Sequence, residues 1–96
     1  MNKELERIKK QIIPILKKHK IKRAGIFGSH ARGEQKEHSD IDLLIESEST
    51  MDLIEIINLK NHLEENIGKK VDLGEYSCIR KELRKSILKE EIPILR

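Results

Sequence analysis

Sulfur and aromatic chemistry are nearly missing from this chain. A single cysteine, Cys78, excludes an internal disulfide; tryptophan is absent, and Phe27 and Tyr76 are the only phenylalanine and tyrosine. The core must therefore be aliphatic, built from Ile and Leu, and a surface that stacks on single-stranded bases lacks the rings to do so. No apolar run approaches the ~20 residues that cross a bilayer, and no signal-peptide pattern leads the sequence, so a cytoplasmic protein away from membranes is expected. An excess of one charge is missing as well. Charged residues make up 39% of the chain, yet the net charge is only +3 and the signs are interspersed. That pattern reads as solvated helix faces, and direct nucleic-acid binding is not expected. With 96 residues the chain suffices for one domain, residues 1–96, near the lower limit for a self-supporting core.

What is present is concentrated in one stretch. Residues 22–27 read as a strand that runs into Gly28-Ser29, where the chain hands over to a short helix. Glycine lets a ligand approach the backbone, the N–H groups opening a helix point at anions, and the Ser29 hydroxyl adds a donor. This suits phosphate. Arg32 follows, placed to reach a phosphate or to pair with a nearby carboxylate. Residues 33–39 read as an exposed polar loop, with His38 a solvated member of it.

Asp40-Ile41-Asp42-Leu43-Leu44-Ile45 then reads as a second strand. Residues two apart share a face, so Asp40 and Asp42 project together about 7 Å apart, while Ile41, Leu43 and Ile45 fill the other face. Two carboxylates this close repel unless a cation lies between them. Oxygen ligands favour Mg²⁺ or Mn²⁺ over Zn²⁺, and Mg²⁺ combines one or two carboxylates with substrate phosphates. Other readings fit less well. The stretch has neither the Lys-Ser/Thr of a Walker loop nor the G-x-G-x-x-G spacing of a dinucleotide fold. Nothing in the sequence identifies a base and an orienting acid that would make Ser29 an acyl-transfer nucleophile.

The remaining segments supply the frame. Leu5, Ile8, Ile12, Leu16 and His19 recur at helical spacing, with Pro14 expected to kink or restart the helix and His19 to place charge at its C-terminal end. Leu53, Ile56, Ile57, Lys60, Leu63 and Ile67 trace a second helical face, started by a Ser49–Asp52 capping box and stopped at Gly68, with His62 at its surface. Residues 69–74 read as a third strand carrying Asp72. Ser77 reads as the cap of a last helix, apolar at Ile79, Leu83, Ile87 and Leu88 and basic at Arg80, Lys81, Arg84 and Lys85. Cys78 reads as structural, and the tail from Glu90 as a segment that docks as an edge strand or against another chain, Pro93 arguing for the edge.

The segment Gly28-Ser29-His30-Ala31-Arg32-Gly33, the ten residues between Ser29 and Asp40, and Ser39-Asp40-Ile41-Asp42-Leu43-Leu44 resemble the signature of the polymerase-β-type nucleotidyltransferases, in their minimal, stand-alone branch. His30 departs from the family, where arginine is frequent. The resemblance spans residues 21–73 and implies an α/β (α+β) fold with a small mixed sheet and helices packed on it. It implies that Gly28, Ser29 and Arg32 bind nucleotide, and that Asp40, Asp42 and Asp72 are catalytic and ligate metal, two Mg²⁺ ions with Mn²⁺ as the alternative. Asp72 would also take the proton of the attacking hydroxyl. It further implies an antitoxin of a type VII-like toxin–antitoxin pair, which moves AMP from ATP to a tyrosine of a HEPN-type ribonuclease toxin. Larger relatives hold their acceptor on an added domain for which these residues leave no room, so the acceptor comes on the partner; oligomerisation stays open. Two rivals are an antitoxin acting by contact alone and transfer to a small molecule such as an aminoglycoside.

Overall fold

The computed structural model describes residues 3–28, 31, 33 and 40–95. They form α1 (Lys3–Lys18), β1 (Ile21–Phe27), β2 (Ile41–Ser47), α2 (Leu53–Ile67), β3 (Val71–Glu75), two 3₁₀ turns (Tyr76–Cys78 and Lys81–Leu83), α3 (Arg84–Lys89) and β4 (Ile92–Leu95). The strands make one sheet in the order β3-β2-β1-β4. β1 is antiparallel to both β2 and β4, whereas β2 and β3 are parallel, so α2 is the crossover that parallel pairing demands. This is the mixed sheet that the family resemblance implies. β4 is indeed an edge strand, with Pro93 exposed.

Strand alternation separates the two faces of the sheet. Ala24, Ile26, Ile41, Leu43, Ile45 and Val71 form one core with Ile8, Ile12 and Leu16 of α1 and Leu59 and Leu63 of α2. Both long helices therefore cover this face. The alternate positions, Gly25, Phe27, Asp42, Leu44, Asp72 and Gly74, belong to the opposite face.

Several local expectations change. α1 passes through Pro14 as one helix, because the proline lies on the exposed side and forfeits only its own N–H bond. α2 is capped by Asp52 itself, whose Oδ1 accepts from Glu55 N–H at 2.8 Å, and not by a Ser49–Asp52 box. Gly68 closes that helix with φ 77°. Its buried stripe is Leu59, Leu63 and Ile67, with Ile56 partly buried, while Leu53 and Ile57 are 71% and 45% exposed. At about 100° per residue, Ile57 falls far to the side of that stripe. The last helix is shorter than its periodicity suggested: Ser77 sits inside a 3₁₀ turn, and α3 has six residues. Burial of Tyr76 turns the chain onto the sheet there before a helix can form. Arg80, Lys81, Arg84 and Lys85 are solvated, as the composition argued. Cys78 is exposed, its thiol donating to Glu75 at 3.9 Å, so it has no part in the core.

His19 does not act as a helix-end charge. Its Nε2 lies 3.4 Å from Nδ1 of His62, a residue that is half-buried and not at the surface as expected. Burial first, then His62 and Lys18, hold the His19 pKa below its ordinary 6.5. Between the folded and unfolded values the unfolded chain binds the extra proton, so stability falls as pH drops through 6.5 and levels off below the folded value. His19→Gln should flatten this part of the acid limb, read from urea midpoints between about pH 7 and 5.

Candidate active site

The end of β1 and the starts of β2 and β3 meet at one end of the sheet. Phe27 is the register partner of Asp42, and Asp42 is the partner of Asp72. With strands about 4.8 Å apart, the two carboxylates project from neighbouring positions on the same face. Bonds from two backbone N–H groups pin this row: Ile41 N–H donates to the backbone O of Lys70 at 2.9 Å, and Val71 N–H donates to the side-chain Oε2 of Glu64 in α2 at 2.8 Å. Each bond fixes the residue just before an acid. Asp42 is half-buried and Asp72 is exposed.

Asp40 lies one residue ahead of β2, not within it, and is exposed. Among the described residues no three His, Cys, Asp or Glu side chains gather as a metal-ligand set. The sheet brings Asp42 and Asp72 side by side, with Asp40 two residues upstream of the first. Ser29, Arg32, His38 and most of the short helix and loop between β1 and Asp40 lie outside the described residues.

Gly28 follows β1 with φ 69°, a conformation that disfavours any residue with a Cβ. A Cβ there would also collide with Oδ2 of Asp42. The glycine read from sequence as an opening for a ligand thus also makes room for the acid of the next strand.

A cleft of about 420 Å³ opens over this row, lined by Phe27, Gly28, Asp42, Leu43, Leu44, Asp72, Gly74, Ile87 and Glu90. Ile87 and Glu90 come from α3 and its end, and sequence reasoning did not place them here. Their periodicity marked an apolar helix face and a tail; only the chain reversal after β3 carries them over the sheet. Gly74 keeps the floor low, since a Cβ would stand 2.9 Å from Leu44 Cδ2. The described lining carries three carboxylates and no basic side chain. A polyphosphate enters such a cleft only with cations, and two adjacent carboxylates suit Mg²⁺, which binds one or two carboxylates together with substrate phosphates.

Comparison with known proteins identifies the family and the fold. Residues 10–96 match the family model described as polymerase beta, nucleotidyltransferase. A Methanocaldococcus jannaschii protein, named provisionally as a protein adenylyltransferase, is 50% identical over 91 residues, covering 95% of this chain and 98% of the relative. The protein adenylyltransferase MntA of Thermococcus cleftensis is 38% identical over 72 residues, 75% of this chain and 73% of its own length. Among solved structures, a toxin–antitoxin crystal structure with AMP-PNP superposes with a TM-score of 0.78 at 25% identity, covering 90% of this chain and 71% of the other.

Proposed function

The chain belongs to the polymerase beta nucleotidyltransferase family, and we propose that it is a protein adenylyltransferase antitoxin that moves AMP from ATP to a tyrosine hydroxyl of a HEPN-type ribonuclease toxin in the cytoplasm. The observation that carries this reading is the register match of Asp42 with Asp72 beside Gly28 in one cleft. The relatives named as protein adenylyltransferases support the reaction, and the similarity to a toxin–antitoxin complex with AMP-PNP supports the partner and the nucleotide.

In this reading the residues from Gly28 through Ser29 and Arg32 hold the β- and γ-phosphates, and the α-phosphate lies over Asp42. Asp72 accepts the proton of the tyrosine hydroxyl. The phenolic oxygen bonds to the α-phosphorus, the bond to the β-phosphate bridging oxygen breaks, and pyrophosphate leaves. Asp42 and Asp72, with Asp40 upstream, would hold Mg²⁺, which neutralises charge on the phosphates and the departing pyrophosphate. Among the described residues β3 is an edge strand, so no further strand stands on the side of Asp72 away from Gly28, the side from which a hydroxyl carried by another protein would approach.

The test is incubation of the pure chain with α-labelled ATP, Mg²⁺ and its candidate toxin. Label on the toxin together with loss of its ribonuclease activity is the expected result. A silenced toxin without label, or label on a small molecule alone, would overturn it.

A further inference from the structure

Beside the acid row lies a second cluster for which the reaction has no direct use. Tyr76, 3% exposed, donates from its hydroxyl to Oε2 of Glu91, whose side chain is 4% exposed. The Arg23 guanidinium stands 3.6 Å from the other oxygen of Glu91 and 4.0 Å over the Tyr76 ring. The Phe27 ring meets Tyr76 edge-on at 6.1 Å. All of this rests on Gly25, where a Cβ would stand 2.5 Å from Glu91 Oε2 and 2.6 Å from the Tyr76 hydroxyl.

The cluster's chain positions give it a consequence at the cleft. Tyr76 is two residues beyond Gly74, and Glu91 is the residue after Glu90; Gly74 and Glu90 both line the cleft. Arg23 and Gly25 belong to β1, whose end carries Phe27 and Gly28. A buried carboxylate is retained only where a cation and a hydroxyl satisfy it, so the hydrogen bond and the ion pair hold each other in place.

Resting on the nucleotidyltransferase reading above, we infer that Arg23, Tyr76 and Glu91 form a clasp that fixes the α3 wall of the cleft over Asp42 and Asp72, and so sets the nucleotide's fit. These are positioning residues; none of them touches the reacting atoms. Gly25 is part of the same device, because only a residue without a side chain leaves room for the Tyr76–Glu91 bond against β1.

The experiment titrates Mg²⁺ with AMP-PNP against the wild-type chain, Tyr76→Phe and Gly25→Ala, alongside hydrogen exchange of residues 84–91. Losing the hydroxyl, or pushing it aside with a methyl group, should weaken AMP-PNP binding about tenfold and speed exchange in that segment. In transfer assays KM for ATP should rise about as much, with kcat within about threefold of wild type. The double variant Gly25→Ala/Tyr76→Phe, in which the missing hydroxyl removes one of the methyl group's clashes and leaves that with Glu91, should be no worse than Gly25→Ala alone. Should Gly25→Ala not fold, Glu91→Gln, which keeps size and an acceptor but loses the charge, should weaken binding about threefold. Wild-type affinity and unchanged exchange in Tyr76→Phe would overturn the clasp while leaving the enzymatic reading intact. A wild-type chain that binds no AMP-PNP would overturn both.

Discussion

Asp42→Asn should reduce AMP transfer by about 10³-fold, the scale of losing one preorganised partner of transition-state charge, while leaving the protein folded. The substitution preserves shape, and Asp42 is only half-buried, so the β2 ladder on either side of it is kept. Removing one of two adjacent carboxylates also lifts a repulsion of order 1 kcal/mol. The thermal midpoint should therefore move by no more than the 4–8 °C that about 1 kcal/mol shifts in a domain of this size. Transfer at the wild-type rate by Asp42→Asn would exclude the mechanism outright. A collapse of the melting transition would mean that the residue serves the fold.

Gly28→Ala should give the second largest loss, about 10²-fold in transfer, by displacing a catalytic group without deleting it. Two effects combine at this position. The φ of 69° costs alanine about 1–2 kcal/mol, and its methyl group would force the Asp42 carboxylate to rotate. Gly68→Ala separates them. Gly68 has φ 77° and nothing within 4 Å of where an alanine methyl would stand, so it carries the backbone penalty alone. Both variants should lose comparable stability in urea melts, and only Gly28→Ala should lose transfer. In an Asp42→Asn background Gly28→Ala should cost less further activity than in the wild type, since the carboxylate it displaces has already lost its charge and only the effect on the phosphate-holding turn is left.

How far the site could be read in advance depended on the kind of signal. Asp42 was legible because strand alternation places an acid opposite Ile41 and Leu43 whatever lies around it. Asp72 was assigned by resemblance, and the β2–β3 register, which no local pattern encodes, is what sets it beside Asp42. Asp40 was expected inside the strand, but the ladder begins one residue later, at Ile41, where Lys70 supplies the first backbone partner. Leu53 and Ile57 were assigned to a core stripe from spacing alone. Spacing gives a helix its faces without saying which neighbour covers each end, and the start of α2 projects beyond what covers it.

The sequence by itself determined the aliphatic core, the strand–glycine turn after Phe27, the acid on β2 and the stop of α2 at Gly68, because each follows from a few adjacent residues and their backbone preferences. Tertiary structure alone decided the row Phe27–Asp42–Asp72, the α3 wall that brings Ile87 and Glu90 over it, and the burial of Tyr76 and Glu91 against Gly25. These depend on which strands pair and in what register. That is settled by the free energy of closing the whole core, a quantity to which every segment contributes and which none of them carries alone.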